Sequence, residues 1–264
     1  MMNEGSDVYK TVLKTGIFLL GLAVSAAAVE INSAAEAVNI AGKQRMYTQR
    51  MLKDYAMVGM NNTFGNPARD LEKTIAEFDD HLTSLEKYAK DEKIGQSLAE
   101  VRSLWKPIRK ALKEKPELSK APGLQEDLEK LLRASDRTTK LFAEASGKGA
   151  GEIVNISGRQ RMLSQRMASL YMLKVWGVKD PKFATKLDET MQLFKTSLAK
   201  LEKSELNNGE IDRLLAKVKR SFMFFEMMNR SKSKYVPALI YRKSNDILKN
   251  MNTVTRLYVK NESK

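Results

Sequence analysis

The chain has 264 residues, 42% of them hydrophobic, with 6 Pro and 14 Gly. That is enough for two ordinary domains with real cores, and too few turn formers for a disordered or turn-rich chain, so long helices are favoured. Lys and Arg number 46 against 32 Asp and Glu, a formal +14, which favours an anionic partner: nucleic acid, anionic lipid or a small anion. The absence of cysteine excludes disulfides, thiolate metal sites and cysteine nucleophiles together.

At the N-terminus, Lys10 and Lys14 precede the apolar run Gly16 to Ala28, which closes on Ala26-x-Ala28. A basic region, a short apolar stretch and small residues predict a signal peptide over residues 1–28, cleaved before Val29. The run is about 13 residues, short of the roughly 20 that span a bilayer as a helix. The alternative is an uncleaved anchor or the apolar start of the first helix. Export points to a bacterial periplasm and argues against nucleic acid as the partner.

Beyond Val29 the apolar residues fall at helical spacing. A first helix is expected from Val29 to Met60, with Ile40, Tyr47, Met51, Tyr55 and Val58 on one side. Asn61 to Pro67 breaks it, and Pro67 suits the first turn of a second helix carrying Leu71, Ile75, Phe78, Leu82 and Leu85. A third runs from about Ile94 to Leu112, with Pro107 as a kink or early end. Lys113 to Gly123 reads as a loop, Leu124 to Ala145 as a fourth helix, and Gly147 to Gly151 as the linker that ends it.

The pattern then restarts. Asn39 to Met51 reads NIAGKQRMYTQRM, and Asn155 to Met167 reads NISGRQRMLSQRM. The shift of 116 also takes Tyr55 to Tyr171, Phe78 to Phe194, Leu82 to Leu198 and Leu85 to Leu201. Farther on the register slips, though RASD at Arg133 and RKSN at Arg242 look related. Breaks at Val178–Pro181, Leu206–Gly209 and Lys234–Pro237 give the second copy four helices as well. Short connections between antiparallel neighbours predict an all-α fold of two tandem up-down-up-down four-helix bundles, residues 29–146 and 147–264.

On a helical wheel, Gln44 and Thr48 join the apolar arc of the first copy, while Asn39, Gly42, Arg45, Met46, Gln49 and Arg50 lie opposite. The second copy repeats both arcs: Ile156, Leu163, Met167 and Tyr171 against Asn155, Gly158, Arg161, Met162, Gln165 and Arg166. A merely solvated face drifts between copies; here Lys43 became Arg159 and Tyr47 became Leu163, yet this face kept its residue types. Arginines without an acid suit an oxyanion, with Asn and Gln as neutral donors. The glycines one turn earlier are notches that let a second helix or a ligand come close. The candidate ligand-binding residues are therefore Asn39, Gly42, Arg45, Gln49 and Arg50 with Asn155, Gly158, Arg161, Gln165 and Arg166. The competing reading pairs the arginines with carboxylates of neighbouring helices, Glu36 and Asp54 among them.

These two stretches resemble the signature of the PilJ-type (NarX-like) sensor domain, found at the N-termini of type IV pilus chemotaxis transducers and of nitrate/nitrite sensor kinases. The resemblance is carried by the two motifs and extends over both copies, about residues 30 to 260. It implies a periplasmic four-helix bundle with the motif on its first helix. In the nitrate sensors, the arginine after the glycine binds nitrate across a dimer interface with its symmetry mate. The matching positions are Arg45 with Gly42 and Arg161 with Gly158. Members of that family continue into a transmembrane helix and cytoplasmic signalling domains, whereas this sequence stops at Lys264 after a polar helix; no kinase or methyl-accepting output is expected within it.

Other residues carry bland readings. His81 has no nucleophile partner pattern and reads as a core or surface histidine. Trp105 and Trp176 read as packing, and the Met- and Phe-rich Ser221 to Arg230 as helical core rather than a copper site. Asp79 and Asp80 lack a histidine at metal spacing, and GKGAG lacks the phosphate-cradling pattern. No enzyme, cofactor or metal is expected. The sequence predicts an exported sensor module that recognises a small inorganic anion, nitrate or nitrite first, and signals through a membrane receptor or sensor protein. Homo-oligomerisation is left open. The alternative is a structural or interaction protein that binds a protein partner or an anionic membrane surface. The expected geometry is a covalent pseudo-dimer, in which the linker sets the copies side by side with Gly42, Arg45, Gly158 and Arg161 around one anion site; the competing geometry continues the linker as helix and makes an end-to-end rod.

Overall fold

The computed structural model describes residues 29–147, 150–230 and 236–262. Eight α-helices carry them: α1 Ala34–Gly59, α2 Pro67–Tyr88, α3 Glu92–Lys113, α4 Ala121–Ala145, α5 Ala150–Trp176, α6 Phe183–Glu202, α7 Gly209–Arg230 and α8 Pro237–Glu262. There is no strand among the described residues. The predicted signal peptide, the middle of the linker and Lys234 with Tyr235 lie outside them.

Local chemistry sets the helix ends. α1 starts later than Val29 because Ser33 is extended and its hydroxyl accepts the Glu36 N–H at 3.1 Å. Glu36 reaches back past the cap to the Asn32 N–H at 3.0 Å, a reciprocal bond one residue beyond that of a capping box. Asn66, in the left-handed region at φ 57°, caps α2 ahead of Pro67. Pro107 does not end α3: it forgoes one backbone bond, but Ile108 and Leu112 beyond it are buried, and their packing holds the helix to Lys113. The loop expected over Lys113–Gly123 is shorter than predicted. Pro122 sits in the first turn of α4, where its missing N–H costs nothing, after one 3-10 turn at Leu118–Lys120. At the other end of α4, Gly147 takes φ 87°, while Ala150 and Gly151, expected in the linker, are already helical.

Within each copy, consecutive helices pack and the fourth returns to the first, closing the rings α1–α2–α3–α4 and α5–α6–α7–α8. The duplication is visible in the bonds. Gln44 Nε2 donates to the Phe78 carbonyl at 3.1 Å, and Gln160 Nε2 to the Phe194 carbonyl at 3.0 Å. The register slips by one residue in the third helix only. There the buried Ile94, Leu98, Val101, Trp105 and Ile108 answer to Ile211, Leu215, Val218, Phe222 and Phe225. The shift of 116 then returns in the fourth helix, where Asp136 and Asn252 hold Arg45 and Arg161 alike. RASD and RKSN are therefore not counterparts.

The most extensive helix–helix contact lies between the copies, α1 against α5. Arg45 meets Asn155, Lys53 meets Gln165, and Gly59 meets Trp176. Numbers rise together along both helices, so they run parallel, side by side. This is why both arcs of the first helix are buried: one faces its own bundle, the other faces α5. One hydrophobic core runs through both copies.

Candidate functional site

The seam between α1 and α5 contains the arginines. Arg45 is 0% and Arg161 1% exposed. Arg45 Nη2 donates to the Asn155 carbonyl at 3.4 Å, and Arg161 Nη2 to the Asn39 carbonyl at 3.2 Å. The two bonds are reciprocal under the 116-residue shift. Arg161 Nη1 also donates to Asn39 Oδ1 at 2.9 Å.

The glycines make room for the guanidinium groups themselves. A Cβ on Gly42 would lie 3.3 Å from Arg45 Nη2 and 3.4 Å from Arg161 Nη2. On Gly158 the distances are 3.1 Å to Arg161 Nη2 and 3.5 Å to Arg45 Nη2. Both nitrogens therefore approach common points and are no more than about 7 Å apart. At an effective dielectric of about 20, two unit charges at that distance repel by roughly 2.4 kcal/mol.

Compensation is one-sided. Arg45 Nη1 donates to Asp136 Oδ1 at 2.6 Å in an ion pair. Arg161 Nη1 meets the neutral Asn252 Oδ1 at 3.2 Å, and no carboxylate among the described residues pairs with it. Burial first, and then Arg45, push the Arg161 pKa below its ordinary value, and the guanidinium still keeps its charge. The Nε atoms of both arginines, and Asn155 Oδ1, are buried without a hydrogen-bond partner among the described residues.

The other candidates lie one or two turns along the seam, held by partners within the protein. Gln49 Nε2 donates to Glu129 at 3.1 Å, and its oxygen accepts the Ser169 hydroxyl at 3.0 Å. Gln165 Nε2 donates to the Ser244 carbonyl at 3.0 Å, and its oxygen accepts Lys53 Nζ at 2.8 Å. Arg50 pairs with Asp70 at 3.1 Å and Arg166 with Glu129 at 2.9 Å. The structure thus gathers Asn39, Gly42, Arg45, Asn155, Gly158 and Arg161 in one place, and leaves Gln49, Arg50, Gln165 and Arg166 in adjoining networks. The pairing carboxylates are Asp136, Asp70 and Glu129. Glu36 caps α1 instead, and Asp54, as expected, also pairs with Arg50, at 3.8 Å and without a hydrogen bond.

The model of a family described as the N-terminal domain of type IV pili methyl-accepting chemotaxis transducers, PilJ, matches residues 28–137 and 142–222. The chain belongs to the PilJ family. No curated protein and no solved structure matches the chain. Each of the two matched segments begins before a motif-bearing helix and includes the motif, so this PilJ chain holds two copies of a sensor-type domain of chemotaxis transducers. No helix among its described residues is long and apolar enough to cross a membrane.

The bland readings fit their places. His81 is buried, Nδ1 lies 3.2 Å from the Tyr47 hydroxyl, and burial with Lys43 and Arg161 nearby lowers its pKa to about 3, so it is neutral. Trp105 stacks on Phe78 with centroids 4.3 Å apart and donates to Asp79 at 2.6 Å. Trp176 covers Gly59 at the far end of the seam. In the Met-rich stretch, Phe222 and Phe225 are buried while Met223 and Met227 are exposed.

Proposed function

We propose that this PilJ chain is a periplasmic anion sensor module in which the two copies supply one shared site, with Arg45 and Arg161 as its clamp and nitrate or nitrite as the leading ligands. The observation that supports it is the buried Arg161, charged and without a carboxylate, beside Arg45 in the notches of Gly42 and Gly158. A small anion there offsets both the repulsion and the desolvation of Arg161. The free Nε donors supply hydrogen bonds that the protein does not itself consume. Occupancy changes how tightly α1 and α5 are drawn together, and a membrane receptor or sensor protein reads that change.

A thermal-shift series with nitrate, nitrite, chloride and sulfate tests the reading. Nitrate or nitrite is expected to raise Tm in a saturable way, and either Arg45→Gln or Arg161→Gln is expected to abolish the rise. Retention of about half the bound anion in each variant would mean two independent sites, and no response to any of the anions would remove the reading altogether.

A further inference from the structure

The pseudo-twofold symmetry of the seam exposes a second feature. On one side, the Asp136 carboxylate lies between two cations, 2.6 Å from Arg45 Nη1 and 2.9 Å from Lys140 Nζ. The 116-residue shift carries Arg45, Asp136 and Lys140 to Arg161, Asn252 and Arg256. Both cations persist on the other side, and an amide replaces the carboxylate between them. Neither Arg161 nor Arg256 has an ion pair among the described residues.

A cleft of about 480 Å³ opens at this position, between α1 and α2 of the first copy and α5 and α8 of the second. Lys43, Met46 and Tyr47 line it beside Arg161, Asn252 and Arg256. Lys43 is half-buried and makes no hydrogen bond or ion pair to a described residue. Of the other charges at the cleft, Arg50 pairs with Asp70 at 3.1 Å and Lys73 with Glu77 at 3.8 Å. The Glu36 carboxylate meets the neutral Asn32 N–H, and it acts on Lys43 through space as Glu77 does. Lys43, Arg161 and Arg256 thus line the cleft without an ion pair to any described residue.

We propose that this cleft binds a small organic acid, whose carboxylate lies beside Asn252 and gives Arg161 and Arg256 the counter-charge that Asp136 gives Arg45 and Lys140. The fold itself displays the interaction on its other side. Volume selects the class: a bare oxyanion needs roughly the room of two waters, about 60 Å³, whereas this cleft is in the range of about 300–1,000 Å³ usual for small-molecule sites. The body of the acid packs on Met46 and Tyr47, and Lys43 meets its second polar group. The counterpart groove has no call for an acid, because Asp136 already neutralises Arg45 and Lys140 there, and Leu163 stands where Tyr47 does. The inference goes beyond the arginine-pair reading and shares only Arg161 with it.

The experiment is calorimetry and thermal shift on the full chain with succinate, glutarate and butyrate, with succinamide as the uncharged control and nitrate in parallel. At least one of the acids is expected to bind saturably and to raise Tm, and succinamide is not. Lys43→Gln and Arg256→Gln should each weaken acid binding about tenfold, the usual cost of one charge-assisted hydrogen bond, and leave the nitrate response in place. Arg256 is exposed, so its variant folds. Asn252→Asp supplies the carboxylate from within, and is expected to raise Tm without acid and to abolish the acid response. Arg45→Gln should do the reverse of Lys43→Gln, losing nitrate and keeping the acid. No binding by any acid, equal binding by succinamide, or an acid response unchanged in Asn252→Asp overturns the inference, whatever nitrate does. A nitrate failure with the acid response intact overturns only the arginine-pair reading.

Discussion

Arg161 and Arg45 have nearly the same local sequence, the same depth and mirrored backbone acceptors, and differ in charge at one neighbour: Asp136 for one, Asn252 for the other. That difference decides what each contributes to stability. A buried charge without a counter-ion carries a desolvation penalty of roughly several kcal/mol, which an apolar side chain of similar volume removes. Arg161→Met is therefore expected to unfold at higher denaturant than the parent chain in the absence of anions. Arg45→Met strips Asp136 of its 2.6 Å partner and should fall about 2 kcal/mol below Arg161→Met. Urea unfolding of both variants checks the order; equal stability would mean that Arg161 is compensated after all. At this scale the sequence was partly legible. The repeated Asn, Gly and Arg residues stood out because their types survived duplication. Their carboxylate partners did not, because Asp136, Asp70 and Glu129 lie on other helices, at spacings that only the packed bundle defines. The Asp136-to-Asn252 exchange was available by carrying the shift of 116 into the fourth helix, but the apparent match of RASD to RKSN obscured it.

Among the helices, the α1–α5 seam tolerates change least. A Cβ on Gly59 would lie 2.1 Å from Trp176 Cζ2, with two more ring atoms within 2.7 Å. The indole cannot yield without leaving its edge-on contact with Tyr55, at 5.9 Å between centroids. Gly59→Ala is expected to cost about 1–3 kcal/mol by overpacking. Gly95, in α3, has nothing within 4 Å of its Cβ position, so Gly95→Ala should instead gain about 0.5–1 kcal/mol from helix propensity. Thermal unfolding of the two variants gives opposite signs if the seam is packed as described, and the same sign if it is loose. Helix existence was legible because apolar spacing repeats in every element. The ends were less so, since they depend on whether Ser33 caps and whether Pro122 falls inside the first turn. The seam itself escaped the helical wheel for a physical reason. Its residues are polar, and a wheel assigns polar residues to solvent unless a second helix is known to cover them.

For the molecule as a whole, the repeated motif pointed to the side-by-side arrangement that the α1–α5 contact now displays, with an end-to-end rod as the alternative, because the choice rests on how few residues turn between α4 and α5. The parallel seam has a consequence for pH that the sequence alone did not suggest. It buries cations in a chain that already carries a formal +14. Burial first, and then Arg161, lower the Lys43 pKa from 10.5 to about 8, with Glu77 and Glu36 opposing. Below about pH 8 Lys43 is charged in the folded and unfolded chain, and the folded state bears the full cost. As pH rises past 8, Lys43 releases its proton in the folded chain and keeps it in the unfolded one, so stability increases. For Lys43 the gain by pH 10 is on the order of 2 kcal/mol. The rise should end near pH 10, where unfolded tyrosines ionise while buried Tyr47, Tyr241 and Tyr258, all with raised pKa values, do not. Tm without anions is thus expected to climb between pH 8 and 10, and to climb less in Lys43→Gln. Arg161 keeps its charge over the same range, as guanidinium groups in proteins do, so the nitrate-induced shift is expected to hold its size while the anion-free Tm climbs. A nitrate shift that falls as Lys43 titrates would place the anion at Lys43 instead of the arginine pair, and a falling anion-free Tm would mean that water reaches Lys43.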